Sequence, residues 1–432
     1  MNRGRTLITV GAIGVVGAIS AACFFFWPAS IEAVQATNAQ PTGSALVAKG
    51  EYLTKAADCA ACHTAPGGEP FAGGRAFKLP FGTIYSTNIT PDQETGIGRW
   101  SDAEFVRALH RGIGRNGEDL YPAFPYTAYT LMATDDVLAI RAYLSTLQPV
   151  TSRNAYNTLV FPFNQRYVLR AWKLLFMPPG RWTPSSTRDA IWNRGSYLAE
   201  ALAHCGDCHT PRNLLFATKS GRKYAGAIVD GWKAYNITSD NETGIGPWSD
   251  EEIKRYLSSG HARARGSAGG GMAEAIDLSL RHLSSEDIAA LTRYLRTIPP
   301  QRSELADRVD HHPAPLNGAT AWSPGADRDE STGFQVFASA CASCHGWDGN
   351  GQQTDNAGLR GSRSVNDPAG TNVIRAVLEG IKIGSPGGNN TMPPFADAYS
   401  DEEIAAVSNY VIGHFGGKQG KVTAAEVRAS RD

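Results

Sequence analysis

The sequence predicts an all-α fold in which three small helical domains follow an N-terminal signal or anchor segment. Three observations predict it. The motif C-x-x-C-H occurs three times along the chain. Residues 88–102, which follow the first motif, return in similar form as residues 236–250 after the second. A helix with the same apolar spacing then closes each of the three segments.

Length and composition exclude several classes of protein before any motif is considered. The chain has 432 residues, of which 42% are hydrophobic, and this length suits two to four domains. Its 41 Lys and Arg residues balance 41 Asp and Glu residues, and no basic run stands out. Nucleic-acid binding needs clustered positive charge, so we expect no nucleic-acid partner. Only one long apolar run occurs, which excludes a protein with many membrane spans.

The N-terminus predicts export. Arg3 and Arg5 precede an uncharged run from Leu7 to Trp27, and a basic head before an apolar stretch directs translocation. The run is long enough to span a bilayer, and residues 34–36 form a small-residue cleavage site. Residues 1–36 are therefore either a signal peptide or a membrane anchor. Both alternatives take the chain to the oxidising periplasmic side of a bacterial inner membrane.

The C-x-x-C-H motif is the attachment pattern of c-type haem. Two residues between the cysteines place both thiols along one edge of a porphyrin, where they add to its vinyl groups. The histidine that follows lies beneath the iron and supplies an axial nitrogen. Its other ring nitrogen is expected to donate to a backbone carbonyl, which fixes the tautomer. The motifs are Cys59-Ala60-Ala61-Cys62-His63, Cys205-Gly206-Asp207-Cys208-His209 and Cys341-Ala342-Ser343-Cys344-His345.

These motifs predict three covalently bound haem c groups in three domains of the class I cytochrome c type. In such a domain the porphyrin replaces much of the apolar core. Zinc binding and dithiol redox chemistry are the alternatives for C-x-x-C pairs. No segment has the further cysteines that would complete a zinc cluster, so the haem interpretation is favoured.

Each segment follows one plan. A short helix with a glycine leads into the haem motif, Gly- and Pro-rich loops follow, and a final helix packs back. The apolar positions of the final helix are spaced i, i+3 and i+7, with a tyrosine at i+6, which indicates one buried face. The glycines are Gly50, Gly195 and Gly333, and the final-helix positions are Val137, Ile140, Tyr143 and Leu144, then Ile288, Leu291, Tyr294 and Leu295, then Ile404, Val407, Tyr410 and Val411.

Helix starts and domain boundaries follow from the same pattern. Capping boxes are predicted at Ser101, Ser249 and Ser400. The three domains are residues 37–148, 191–298 and 328–416. Between and after them lie an apolar, Pro-rich linker at 149–190, expected on a protein surface or near the bilayer, a polar linker at 299–327 and a polar tail at 417–432.

A six-coordinate electron carrier commonly takes Met as its second axial ligand, and the chain has five Met residues. Met392 precedes Pro393 in a Gly- and Asn-rich loop before the final helix, which is the expected place for this ligand. Met272 follows three glycines, residues 269–271, where the backbone can approach a haem closely. We expect these two residues to ligate the third and second haems.

The first domain differs at this position. Phe124 occupies the corresponding slot, and a phenyl ring cannot ligate iron. Met132 is the only nearby methionine and is either the ligand or an ordinary core residue. His110 is a weaker candidate, and its alternative is a partly buried place on a surface helix. If neither residue reaches the iron, the first haem is five-coordinate.

The repeated segments also contain candidate haem contacts. The Asn and Thr of the repeated Asn-Ile-Thr are candidates for hydrogen bonds to propionates, and the repeated Trp for packing on the rings. Turn formation and core packing are the alternatives. The residues concerned are Asn88, Thr90, Trp100, Asn236, Thr238 and Trp248.

With these motifs the chain resembles the trihaem cytochrome c subunit of bacterial membrane-bound, quinone-reducing dehydrogenases. That family serves the alcohol, aldehyde, gluconate, fructose and sorbitol dehydrogenases of acetic acid bacteria and their relatives. The resemblance implies an electron-transfer subunit, not an enzyme by itself, that passes electrons from a catalytic subunit to ubiquinone at the periplasmic face of the inner membrane. It covers most of residues 45–415 and is carried by the three C-x-x-C-H motifs, residues 88–102 and 236–250, Leu120 to Ala123, Phe161 to Asn164, and Met392 with Pro393.

Phe124 departs from the family pattern. Many alcohol- and sugar-oxidising members have Met there, in Tyr-Pro-Ala-Met-Pro-Tyr. The Tyr-Pro-Ala-Phe-Pro-Tyr of residues 121–126 looks more like members that accompany molybdenum hydroxylase-type subunits, such as aldehyde or N-heterocycle dehydrogenases. The implied partner is therefore of molybdenum type, with pyrroloquinoline quinone and flavin enzymes as alternatives. A stand-alone multihaem oxidoreductase that uses an open first haem is a further alternative.

Overall fold

The computed structural model describes most of the chain, and its regular structure is mainly helical. The two compact units into which the chain divides are Met1–Thr54 with Cys62–Thr183, and Lys55–Ala61 with Pro184–Asp432. The described residues are 15–17, 19–20, 23–25, 33–34, 41–305, 331–352, 354–385 and 388–431, without the side chains of 385 and 388–390.

The first segment contains five short helices and one hairpin. Its elements are α1 (Gly43–Ala56), α2 (Cys59–His63), β1 (Ala76–Leu79), β2 (Gly82–Tyr85), α3 (Asp102–Arg111), α4 (Tyr126–Tyr129) and α5 (Thr134–Leu144). The residues that follow form a 3₁₀ turn at Arg166–Val168 and the helix α6 (Leu169–Phe176).

The second segment repeats this order with a second hairpin. Its elements are α7 (Ala190–Tyr197), α8 (Cys205–His209), β3 (Ala227–Val229), β4 (Trp232–Ala234), α9 (Asp250–Ser259), β5 (His261–Ala262), β6 (Gly266–Ser267), α10 (Gly270–Leu278) and α11 (Ser285–Leu295).

The third segment is shorter before its final helix. Its elements are α12 (Thr332–Val336), α13 (Ala342–His345), a 3₁₀ turn at Asp355–Ala357, α14 (Thr371–Glu379), β7 (Ile381–Ser385), β8 (Gly388–Met392), α15 (Asp401–Gly416) and α16 (Ala424–Ala429).

In every segment a glycine of the first helix lies directly against the last helix. A Cβ atom added to Gly50 would come within 1.9 Å of the carbonyl oxygen of Ala139 and 2.8 Å of the Cβ of Tyr143. Only glycine allows two helix backbones to approach so closely. The other segments repeat the arrangement. A Cβ added to Gly195 would lie 1.9 Å from the carbonyl oxygen of Ala290 and 3.0 Å from the Cβ of Tyr294. One added to Gly333 would lie 2.4 Å from the carbonyl oxygen of Ala406 and 2.8 Å from the Cβ of Tyr410.

The helix faces and helix starts that the sequence predicts are confirmed. The apolar i, i+3 and i+7 positions of all three final helices, α5, α11 and α15, are buried. Ser101, Ser249 and Ser400 each accept from the backbone of the glutamate three residues later, whose side chain bonds back to the serine backbone. These capping boxes begin α3, α9 and α15.

Four short hairpins differ from the all-α prediction. β1 pairs with β2, β3 with β4, β5 with β6 and β7 with β8, all antiparallel, within the described residues. They lie in stretches where the sequence predicts loops. Strands of two to five residues are too short to show the alternating pattern by which strands are recognised.

The linker after the first segment carries exposed apolar residues. In α6 Leu174 and Leu175 are 74% and 67% exposed, and Phe161 before it is 77% exposed. The polar face of α6 holds the helix to the first unit, because Lys173 contacts Asp119 at 2.8 Å. The predicted surface location of this linker agrees with these exposures.

The C-terminal stretch differs from the predicted polar tail. Within residues 417–432, α16 begins with a Thr423–Glu426 capping box and buries Val427 completely. Val427 and Val422 pack with Ile412 in one apolar cluster. Two buried valines in an otherwise polar stretch form too short an apolar stripe to predict a packed helix.

Two predicted regions lie largely outside the described residues. They are the signal or anchor segment at 1–36 and the polar linker at 299–327 from residue 306 onward. Among the helices that the structure describes, none has the length and apolar character needed to cross a bilayer.

Candidate haem-binding sites

The three motif histidines share one hydrogen bond. Nδ1 of His63 donates to the carbonyl oxygen of Thr87 at 2.7 Å. Because a carbonyl only accepts, Nδ1 carries the proton and the lone pair of Nε2 is left for a metal. The same bond joins His209 to Tyr235 and His345 to Ala357, both at 2.6 Å. The predicted donation to a backbone carbonyl is thus confirmed.

Burial keeps these imidazoles neutral. It is the largest cause that lowers the pKa of His63, His209 and His345, and the bond to the carbonyl acts in the opposite direction. A neutral imidazole is the form that ligates iron. The chemistry of the donors therefore fits haem.

The six motif cysteines also fit covalent attachment. All seven cysteines lie among the described residues and none forms a disulfide, and those of the motifs are half-buried or exposed. Burial raises the pKa of Cys205 to about 12 and that of Cys341 to about 11. Among the described residues no group of three or more His, Cys, Asp or Glu side chains is placed to hold a metal ion.

The carbonyls that hold the first two histidines were not identified from the sequence. Thr87 and Tyr235 directly precede the repeated Asn88 and Asn236, so the repeat is the pattern that could have located them. In the third segment Ala357 ends a 3₁₀ turn and performs the same task without an Asn-Ile-Thr sequence.

The Asn-Ile-Thr residues use their polar groups within a turn. Nδ2 of Asn88 donates to Thr95 Oγ1 at 3.0 Å and to the Val150 carbonyl at 2.7 Å. Its Oδ1 accepts from the backbone and hydroxyl of Thr90 at 2.9 and 2.7 Å. The amide therefore has no free N–H, and the turn alternative is favoured over the predicted propionate contact.

The second copy has the same bonds. Asn236 donates to Thr243 at 2.9 Å and to the carbonyl of Gln301 at 2.6 Å, and it accepts from the backbone of Thr238 at 2.8 Å. The hydroxyl of Thr238 donates to the same Gln301 carbonyl at 3.3 Å. Both copies thus fix the backbone that follows the histidine acceptor.

The repeated tryptophans pack among protein side chains. Trp248 is 8% exposed, meets Tyr256 edge to face at 5.5 Å and lies under the guanidinium of Arg265 at 5.5 Å. Trp100 is half-buried, and its carbonyl accepts from Arg141 at 3.0 Å. These contacts favour the core-packing alternative for Trp248.

Glycines lie close to both of the predicted methionine ligands. Met392 ends β8 opposite Ile381, is half-buried, and has its carbonyl 2.4 Å from where a Cβ of Gly380 would lie. Met272 is half-buried near the start of α10. The glycines before it give room to a ring, because a Cβ at Gly269 or Gly270 would lie 2.6 Å from Trp232. Trp232 thus accounts for Gly269 and Gly270, whereas nothing lies within 4 Å of a Cβ added at Gly271, and close approach to haem stays a prediction.

The first segment has no methionine in the corresponding place. Phe124 lies edge to face with Tyr129 at 5.5 Å and with Tyr126 at 6.3 Å. Met132 is completely buried, as both a core residue and an iron ligand would be. His110 is 3% exposed, bonds to the backbone of Met132, and its Nε2 has no hydrogen-bond partner.

Comparison with known proteins agrees with this geometry. The cytochrome c family model matches residues 47–148 and 331–413. The chain is 37% identical to the fructose dehydrogenase cytochrome subunit of Gluconobacter japonicus, over 92% of this chain and 86% of that protein. It is 36% identical to the gluconate 2-dehydrogenase cytochrome c subunit of Pantoea cypripedii, over 90% of each.

A third relative is much longer than this chain. It is a nicotinate dehydrogenase subunit of Pseudomonas putida, and the two are 38% identical over 94% of this chain. The chain spans only 34% of that protein's length.

Proposed function

Because the chain belongs to the family of cytochrome c subunits of dehydrogenases, we propose that it binds three haem c groups and relays electrons from a catalytic subunit to ubiquinone. The relatives are named as cytochrome subunits of dehydrogenase complexes, so the chain is an electron-transfer subunit and not a catalytic enzyme. The haem count, the kind of partner and the quinone step are the parts proposed beyond the family.

The observation that carries the haem count is the repeated bond of the motif histidine to a backbone carbonyl. It leaves Nε2 available at His63, His209 and His345, each directly after a cysteine pair that forms no disulfide. A single bond of this kind is a common way to hold a histidine. Three such bonds, each made by the histidine of a C-x-x-C-H motif, are what three haem sites require.

The second segment is included although the family model matches only the first and third. It has the same crossing of first and last helices at Gly195, the same histidine bond and the same Asn236 turn. We therefore assign three tandem cytochrome c domains, at residues 37–148, 191–298 and 328–416.

The residues divide the work of a haem site as follows. The motif cysteines form thioether bonds, and the histidine Nε2 and the sulfurs of Met272 and Met392 are the proposed axial ligands. The bound iron supplies one-electron chemistry. The protein fixes the imidazole tautomer through Thr87, Tyr235 and Ala357, and its burial of the site sets the potential.

For the partner we favour a molybdenum-type dehydrogenase. Phe124 stands where many alcohol- and sugar-oxidising members have Met. In this respect the chain looks more like members that serve aldehyde or N-heterocycle dehydrogenases. One of the relatives is named for nicotinate, which is an N-heterocycle. A quinoprotein alcohol dehydrogenase or a flavoprotein sugar dehydrogenase is the alternative, and the name of the fructose relative supports it.

Membrane association is supported by exposed apolar side chains in the linker of the first unit. Leu174, Leu175 and Phe161 are exposed, and Arg170 donates to the carbonyl of Phe24, in the predicted signal or anchor segment, at 3.0 Å. Exposed apolar side chains beside basic ones suit a bilayer surface on the periplasmic side, where ubiquinone is met.

The haem count is tested by a pyridine haemochrome assay on the full chain produced with c-type maturation. We expect three haems per polypeptide, and two in the Cys205→Ala/Cys208→Ala double variant. Cys23→Ala is the matched control, because Cys23 lies outside the motifs, and it should keep all three. A wild-type count of two or fewer would contradict the proposal.

The partner is tested by isolating the native complex through this chain. Molybdopterin in the co-purified catalytic subunit is the expected result, and flavin or pyrroloquinoline quinone would establish the alternative. Reduction of all haems by the partner's substrate, followed by reoxidation with a short-chain ubiquinone, is expected for the relay.

A further inference from the structure

One buried arginine of the third segment lies beside the proximal side of the second haem site. Arg363 is 7% exposed, and its Nη1 donates to the carbonyl of Asn236 at 3.1 Å. Its guanidinium carbon lies 4.6 Å from the ring centroid of Tyr235. The carbonyl of Tyr235 is the acceptor that holds His209. Both segments belong to the same compact unit.

The guanidinium of Arg363 lacks the partners that a buried cation needs. Its Nε and its Nη2 are buried without a hydrogen-bond partner, and it forms no ion pair with a described carboxylate. Burial of an unpaired charge is costly, so such a group is normally matched by an anion.

The carboxylates in this region are already engaged. Asp367 pairs with Lys233 at 2.7 Å, and both side chains are at most 5% exposed. Asp240 accepts from the backbone and the hydroxyl of Thr243 at 2.6 and 2.9 Å. The protein therefore leaves two donors of Arg363 to a group that comes from elsewhere.

The loop that carries Arg363 is firmly held. Its backbone N–H donates to the carbonyl of Arg265 at 3.2 Å. Nearby, Asn372 bonds to both the N–H and the carbonyl of Lys233, at 2.7 and 3.0 Å. The guanidinium is thus fixed next to Tyr235 and does not reach solvent.

We propose that Arg363 binds a propionate of the haem attached at Cys205 and Cys208, and thereby raises the potential of that haem. The inference rests on the proposed haem function of the second segment. A propionate is the anion that haem itself brings into the site, and Nε with Nη2 can bind a carboxylate in bidentate fashion. A fixed positive charge near the iron favours the reduced form, which carries one positive charge fewer.

Arg363 is a positioning residue in this proposal. It reaches the haem of one segment from the sequence of the next, so the potential of the second haem depends on the packing of the third segment. A purely structural role would affect stability and leave the potential unchanged.

The test is a spectroelectrochemical titration of Arg363→Gln, which removes the charge. We expect one of the three one-electron waves to move to lower potential while the other two stay in place. Arg363→Lys keeps the charge and should retain most of the wild-type potential. Arg302→Gln is the matched control, because the side chain of Arg302 is 65% exposed and the substitution removes the same charge at the surface. The three waves of this variant should not move.

A second measurement protects the test against a variant that does not mature. The propionate bending bands in the resonance Raman spectrum of Arg363→Lys are expected to shift, since the bidentate contact is lost while the charge remains. Unshifted waves in Arg363→Gln, or unshifted bands in Arg363→Lys, would overturn the proposal. A wild-type chain with fewer than three haems would instead overturn the proposed function.

Discussion

In the first segment His63 donates to the carbonyl of Thr87, and Asn88 then closes a turn with Thr90. In the second segment His209 donates to the carbonyl of Tyr235, and Asn236 closes the same turn with Thr238. At the position where the sequence predicts the sixth ligand, the two segments differ. The first has Phe124 in an aromatic cluster, and the second has Met272 near the start of α10. The histidine is held by backbone and turn geometry, whereas the predicted sixth ligand depends on a single side chain.

The largest expected difference between the segments is access of a small ligand to iron. Phe124 cannot ligate iron, and Met132 aligns with Leu283 and Tyr399 of the other segments, each five residues before the first apolar position of its final helix, so we expect the first haem to be five-coordinate. The reduced wild-type protein should then bind one equivalent of carbon monoxide, measured by Soret difference spectroscopy. Absence of binding in the wild type, with binding in His110→Ala, would show that His110 is the sixth ligand.

The next difference concerns the methionines. We expect Met272→Ala and Met392→Ala each to lower one haem potential and to add one equivalent of bound carbon monoxide. Met132→Ala is the control from the first segment. It should leave potentials unchanged but reduce the free energy of unfolding by about 2–5 kcal/mol, because it opens a cavity in the core.

An unchanged redox titration of Met392→Ala or Met272→Ala would refute that ligand assignment. A displaced redox wave in Met132→Ala would show that Met132 ligates the first haem, so that all three segments would have a methionine ligand.

A smaller effect is expected where the segments are alike. Gly50→Ala and Gly195→Ala both force a methyl group against a helix carbonyl, so each should lower the free energy of unfolding by about 1–3 kcal/mol. Chemical denaturation of the haem-loaded protein measures this. Gly221→Ala is the control, because nothing lies within 4 Å of its added Cβ. A loss of stability in only one of the two variants would show that the helix crossings at Gly50 and Gly195 are not equivalent.

The smallest effect tests the helices that follow the turns. Ser101→Ala and Ser249→Ala remove the caps of α3 and α9, and each should cost about 1 kcal/mol of stability. Serine-to-threonine variants at the same positions keep the cap and should cost less. Stability curves that differ strongly between Ser101→Ala and Ser249→Ala would contradict the likeness of the two segments.

The sequence predicted the parts of the site whose chemistry fixes residue type and spacing. The cysteine pairs and histidines follow from the porphyrin, the buried faces of α5, α11 and α15 from helical periodicity, and the caps from the Ser-x-x-Glu pattern. Each of these is a local rule, which a single stretch of chain satisfies by itself.

The remaining features depend on contacts between distant stretches. Ala357 acts through its carbonyl, so its side chain carries no pattern. Gly269 and Gly270 before Met272 lie against Trp232, which is distant in the sequence. Arg363 is a single arginine in a loop, and its burial against Tyr235 depends on packing between two segments. Tertiary contacts of this kind leave no mark on local sequence.

The crossing of Gly195 with Ala290 has a consequence for biogenesis. The two residues are far apart in the chain, so the segment cannot close until its last helix has been made and delivered. Long-range closure is slow, since the entropy of a large loop is lost before its contacts form. We expect the thiols at Cys205 and Cys208 to be accessible during that interval to the enzymes that attach haem.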